Sequence, residues 1–200
     1  MQLTTRKVAV VGMLSGISIL LGVTPLGFIP LGPAKATIMH IPVIIGAIIE
    51  GPVIGMLVGL IFGCFSMYQA AFMPTSPAQI VFLDPVVAVF PRILIALSSY
   101  YSYAGVEKLL IATGRREKLR LLPTTAAAAV GTLTNTAGVL SMIYLFHAAE
   151  FAAKLELDLA TVGKFMIFFI AIPNGIPEIA VAVVVVTAVV AALRKRPGLL

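Results

Sequence analysis

Residues 165–193 contain one ionisable side chain, Glu178, in an otherwise apolar stretch. A hydrocarbon core about 30 Å thick is crossed by about 20 helical residues. In lipid every backbone N–H and C=O must be satisfied within the protein, so a run of this kind is a helix and not an open strand. Four further apolar runs follow the same rule: 8–23, 52–72, 80–103 and 123–146. Charged residues are 11% of the chain, hydrophobic residues 60%, and mean hydropathy is +1.09. A soluble domain carries about a quarter charged residues. The sequence therefore predicts an all-α membrane protein, folded as a single transmembrane domain over 1–200.

The stretch 38–50 is apolar but short, covering about two thirds of a bilayer at about 1.5 Å per residue. It is either a tilted crossing in a thinned region or a re-entrant segment. Charge placement favours the crossing. With six spans and a cytoplasmic N-terminus, ten Lys and Arg fall inside: Arg6, Lys7, Lys108, Arg115, Arg116, Lys118, Arg120, Arg194, Lys195 and Arg196. Four others, Lys35, Arg92, Lys154 and Lys164, fall outside or near it, which accounts for all fourteen. Such a bias sets orientation, so the expectation is six transmembrane helices with both termini cytoplasmic. The net charge of +6 is thereby explained without nucleic acid. Run 8–23 follows Arg6 and Lys7 like a signal peptide, but no small-x-small cleavage site follows, and it is read as a retained helix. A lone cysteine, Cys64, excludes a disulfide framework.

Small residues recur at helical spacing. Gly51, Gly55, Gly59 and Gly63 lie four apart and read as internal packing of span three, because close backbone approach drives helix association in lipid. Gly12 and Gly16 form a second such pair, serving either internal packing or a partner helix.

Ionisable groups at membrane depth cost at least about 2.5 to 3.5 kcal/mol and face a cavity or a partner. Glu178 sits near mid-bilayer, with Asn174 one turn earlier on the same face. Pro173 and Pro177 each withhold a backbone donor there. Arg92 lies eight residues beyond Asp84 and reads either as a ligand contact or as a structural ion pair with Glu178 or Asp84. Thr132, Thr134, Asn135 and Thr136 interrupt span five; threonines satisfy themselves on the preceding turn, whereas Asn135 needs a helix–helix bond or a ligand. A pocket between spans four, five and six, open outward, would account for all of them.

The loop "TPLGFIPLGPAKATIMHIP" is too apolar for an ordinary wet loop and reads as a lid over that pocket or as an interfacial segment. Its Lys35 and His40 either meet a ligand or sit in water. There is no G-x-x-x-x-G-K-[ST] loop, no H-E-x-x-H and no G-x-S-x-G, which argues against ATP binding by this chain, a metal site and hydrolase chemistry. The rival classes are a stand-alone facilitator or channel and a membrane-embedded enzyme built on Glu178.

The motifs "TIMHIPVIIGAIIEGPVIGMLVGLIFGCFS", "LDPVVAVFPRILIAL", "GTLTNTAGVL" and "IPNGIPEIAVAVV", in that order, resemble the substrate-binding S component of energy-coupling factor (ECF) vitamin transporters. The pattern is most similar to the branch assigned to pantothenate; folate, pyridoxine-type and pyrimidine-type ligands remain open. The resemblance implies a non-enzymatic, cofactor-free, multi-pass protein of a bacterial cell membrane that binds one vitamin on its outer side. It also implies docking on a membrane coupling subunit carrying two cytoplasmic ATPases, through an A-x-x-x-A-type motif that here matches Gly12 and Gly16. Asn135, Asn174 and Glu178 match the family's pocket motifs, and Arg92 looks like a general family feature. A pantothenate carboxylate would then meet Arg92 or Lys35, with Asn135 and Asn174 meeting its other polar groups. Glu178 would need a hydroxyl donor, a cation or a proton of its own.

Overall fold

A computed structural model describes residues 4–31, 34–74 and 76–194, with the backbone alone for 28–31 and 34–36. Helix α1 (Thr5–Val23) leads through a tight turn, Pro25–Gly27, into an antiparallel ribbon of β1 (Phe28–Leu31) and β2 (Ala34–Thr37). Phe28 pairs with Thr37 and Leu31 with Ala34. Helices α2 (Ile41–Glu50) and α3 (Pro52–Phe72) follow, then a 3-10 segment, Pro77–Leu83. Next come α4 (Pro85–Ala88), α5 (Phe90–Ala112) and α6 (Leu122–Lys154). A turn at Leu159–Thr161, α7 (Val162–Phe165) and a π-helical stretch, Met166–Ala171, lead into α8 (Ile172–Arg194). The segment expected as an apolar loop is thus a small ribbon.

Among the described residues, five helical stretches are long and apolar enough to cross a membrane: Thr5–Val23, Pro52–Phe72, Pro85–Ala112, Leu122–Lys154 and Leu159–Arg194. At 10 residues α2 is shorter, about 15 Å. It is also apolar on every face, and a helix without a polar stripe belongs inside. Ile41 through Ile48 are all buried, with Val43, Ile44 and Ala47 fully so. Glu50 ends α2; Gly51, at φ +96°, reverses the chain, and Pro52 restarts it as α3.

The expected span 80–103 is cut by its prolines. Asp84 caps α4 by accepting from Val86 N–H, Val89 breaks the helix, and α5 then continues to Ala112. In α8, Pro177 lies inside a continuous helix, and the π turns of 166–171 shift the hydrogen-bond register just ahead of Pro173. Gly55, Gly59 and Gly63 face α2, α4 and α5 as internal packing. The tightest is Gly59, where an added methyl would overlap the Arg92 carbonyl oxygen.

Helices α2 and α3 run antiparallel, as do α3 and α5, since Gly55 meets Ala96 and Gly63 meets Val89. Arg6 reaches Glu50 (2.8 Å), and Arg194 bonds the Tyr103 hydroxyl. Both ends of the described chain therefore lie at one end of the bundle, with Gly51 and the α5–α6 turn. Lys195 and Arg196, counted as cations above, lie outside the described residues.

Candidate functional site

The opposite half of the bundle encloses a cavity of about 260 Å³. That is close to the lower end of the range for small-molecule pockets, about 300 Å³. Its walls come from α3 (Phe62, Ser66, Gln69), the 3-10 segment (Gln79, Phe82), α5 (Arg92), α6 (Asn135, Thr136) and α8 (Asn174, Glu178), with Thr37 and Met39 over them. Four of the five expected ligand contacts, Arg92, Asn135, Asn174 and Glu178, converge on this one space. Lys35 holds a backbone place in β2 opposite Pro30, and its side chain lies outside the described residues.

Arg92 does not form the ion pair that was one of its two expected roles. It is 6% exposed, and its guanidinium lies between two rings, Phe62 at 5.3 Å and Phe82 at 5.2 Å. One N–H donates to the Val87 carbonyl (3.0 Å), while Nε is buried without an acceptor. Both expected partners are engaged elsewhere. Asp84 binds His147 (2.8 Å), a hydrogen bond that holds its carboxyl below the usual carboxylate range, helped by the Val86 N–H. Glu178 accepts three hydrogen bonds, from Thr37 N–H (2.7 Å), the Thr37 hydroxyl (3.1 Å) and the Thr136 hydroxyl (3.2 Å). Among the described residues, the cavity thus holds a cation with no carboxylate partner. An isolated buried charge of this kind is costly, by several kcal/mol.

Two amide oxygens add acceptors. Asn135 Oδ1 and Asn174 Oδ1 are buried and have no donor. The asparagines are placed by helical spacing: Thr132, Asn135 and Val139 share one face of α6, and Asn174 and Glu178 share one face of α8. Their neighbours divide as threonine chemistry allows. Thr134 bonds back to Val130 within its own helix (2.8 Å), whereas Thr132 meets His40 across the core (2.9 Å). His40 is fully buried there, neither in water nor among the cavity residues.

The strip 37–40 forms the cavity's upper edge and is tied to three helices. Thr37 is held by Glu178 of α8, the Met39 carbonyl by Ser18 of α1 (3.1 Å), and His40 by Thr132 of α6. Ile38 N–H also donates to Gly27 at the ribbon's base (3.1 Å). The ribbon 28–37 thereby stands directly beside the cavity, supported by a carboxylate that lines it.

The family described as "ECF transporter, substrate-specific component" matches residues 6–190. The chain belongs to that family. It is 34% identical to the pantothenic acid transporter PanT of Lactococcus lactis subsp. cremoris (strain MG1363), over 82% of this chain and 80% of that protein. It is also 38% identical to the pantothenate transporter PanT of Leuconostoc mesenteroides subsp. mesenteroides over a shorter region, 36% of this chain and 37% of the relative. The chain is accordingly a multi-pass membrane transport subunit and not an enzyme.

In this S component the matched Gly12 and Gly16 stand on the open side of α1. A Cβ at either would meet nothing within 4 Å, so they do not serve internal packing. Met13, Ile17 and Leu20 beside them are exposed as well. Sequence reasoning did not single out Thr37, Gln69, Phe62 or Phe82 as cavity residues of the S component. Each looks ordinary in its own segment, and only the α3–α5 and α2–α8 packing brings it to the cavity.

Proposed function

We propose that this S component binds pantothenate in the cavity and delivers it as part of an ATP-driven importer. The observation that carries the reading is Arg92, a buried cation facing the cavity with no carboxylate partner among the described residues. An anionic ligand group supplies the missing charge with charge-assisted hydrogen bonds. Pantothenate has one carboxylate, two hydroxyls and an amide N–H, which complement Arg92 and the acceptor oxygens of Asn135 and Asn174. The names of the two relatives favour the same ligand. Glu178 acts in this reading by fastening Thr37, and so the ribbon, across the ligand's exit.

In the membrane we propose six crossings, α2 being the short one, with both described ends cytoplasmic. Eight described cations support that orientation: Arg6, Lys7, Lys108, Arg115, Arg116, Lys118, Arg120 and Arg194 all sit at the end away from the cavity. The cavity then opens outward. The open Gly12–Gly16 face docks on a membrane coupling subunit carrying two cytoplasmic ATPases.

Calorimetric titration of the purified protein tests the ligand assignment. Pantothenate should bind, and Arg92→Gln should weaken it by about two orders of magnitude, since removing one member of a buried charge pair costs 2 to 5 kcal/mol. An unchanged affinity in Arg92→Gln would remove Arg92 from the site.

A further inference from the structure

Helix α6 has 33 residues and departs from helical geometry at one of them, His147 (φ −132°, ψ 20°). Both nitrogens of that ring meet carboxylates. Nε2 lies 2.8 Å from Asp84 Oδ2, and Nδ1 lies 3.1 Å from Glu150 Oε2. An ionised carboxylate only accepts, so both contacts are complete only when both ring nitrogens carry hydrogen. The clip is therefore built around an imidazolium. Asp84, from the segment packed against α6, and Glu150, one turn further along α6, are the charged groups that bear on it among the described residues.

Asp84 sits between the two contacts that hold Arg92. Two residues before it, Phe82 stacks on the guanidinium at 5.2 Å. Three residues after it, the Val87 carbonyl accepts from the guanidinium at 3.0 Å. Asp84 itself caps the short helix α4 that carries Val87, through Val86 N–H at 2.8 Å. Fixing Asp84 thus fixes the ring and the carbonyl together. Beyond the kink, Phe151 of the same helix also lines the cavity.

We propose that His147 is a positioning residue for the ligand's carboxylate: in its doubly protonated form it clamps Asp84, and through Phe82 and Val87 it aims Arg92 into the cavity. The inference rests on the reading that Arg92 meets a ligand carboxylate. Losing the His147 proton leaves one of the two carboxylates without a donor, loosens the 82–87 segment and lowers the fraction of molecules competent to bind. Ligand affinity therefore falls as pH rises through the titration of His147. The chain's other histidine, His40, is fully buried against Thr132 and lies outside this clip.

The test is the affinity of the purified full chain for pantothenate between about pH 6 and about pH 8.5, where ordinary carboxylates remain ionised and a histidine changes charge. Wild type should weaken about tenfold across that range, the loss expected if a tenth of the molecules remain competent. His147→Ala should bind weakly at every pH, with the slope gone. His147→Arg, permanently charged and able to reach two carboxylates, should restore affinity and bind equally at all pH values. Size-exclusion profiles identify any variant that fails to fold, and the wild-type slope stands as a test without variants. A flat wild-type profile, or a slope surviving in His147→Ala, overturns the proposal. Arg92→Gln separates the two readings. If it abolishes binding while the wild-type profile is flat, the positioning role fails alone; if it leaves affinity intact, the carboxylate reading fails with it.

Discussion

Around α2, apolar side chains form a core: Val43, Ile44, Ala47, Val58, Ile95, Ala127, Ala182 and Val186 are all fully buried in one cluster. Around the cavity packs a second and smaller cluster (Val81, Val87, Val139, Ile143, Phe151, Val162, Met166), of which Val139, Ile143 and Phe151 line an open space studded with polar groups. The two halves share helices. Helices α3, α5, α6 and α8 run through both, and the difference lies in what each helix presents at each level. Toward α2 they offer glycine, alanine and valine, which let backbones touch. Toward the cavity they offer Arg92, Asn135, Asn174 and Glu178. Rigid packing below holds costly polar groups in place above, where the proposed ligand would satisfy them.

The largest expected effect comes from attacking the dry half where it supports the wet one. Gly59→Leu places a side chain on the Arg92 carbonyl, which is backbone and has no room to yield. Overpacking of this kind destabilises by 1 to 3 kcal/mol or more. The expected result is loss of monodisperse protein in size-exclusion chromatography, together with loss of ligand binding. Recovery of well-folded protein with full affinity would mean that the two halves are not mechanically joined at this point.

A smaller effect confined to the wet half is expected from Glu178→Gln. The amide retains an acceptor for Thr37 but gives up the charge that strengthens those bonds. Charge-assisted hydrogen bonds are worth 1.5 to 3 kcal/mol, so pantothenate affinity should fall about tenfold or somewhat more. Because the ribbon is what Glu178 holds, the dissociation rate should rise more than the association rate falls. Stopped-flow or surface-immobilised kinetics would show it, and a change confined to association would contradict the fastening role.

The smallest effect on binding is expected at neither half but on the outside of α1. Gly12→Leu meets no atom of the chain within 4 Å. Ligand affinity should be unchanged, while ATP-dependent uptake by membranes containing the whole transporter should drop. Weakened ligand binding in this variant would argue against a docking role for that face.

Much of the dry half was legible in the sequence because lipid imposes a simple rule on length and apolarity. The glycine series at 51, 55, 59 and 63 was read from the same solvent physics; the structure places the last three at close approaches, whereas Gly51, at φ +96° with nothing within 4 Å of an added Cβ, turns the chain and does not pack. The short run 38–50 was harder. Its shortness left a tilted crossing and a re-entrant segment both open, and nothing local in an apolar decapeptide says that α2 is buried on every face. In the wet half, the residues that violate the apolar rule identified themselves: Arg92, Asn135, Asn174 and Glu178. Their partners did not. Thr37 is 141 residues from Glu178, and its main contact uses a backbone N–H that carries no sequence signature. The ion pair allowed for Arg92 fails because Asp84, 63 residues from His147, is already taken. Sequence spacing put Asp84 within reach of Arg92 but could not reveal a competitor on another helix.

The measurement that bears most directly on the central account compares two ligands on one protein. Pantothenate and its neutral alcohol analogue differ only where Arg92 is proposed to act. In wild type the acid should bind at least about a hundredfold more tightly, as expected when a buried cation loses its counter-charge, and in Arg92→Gln that preference should vanish. Equal affinity of acid and alcohol for the wild-type protein would contradict the account.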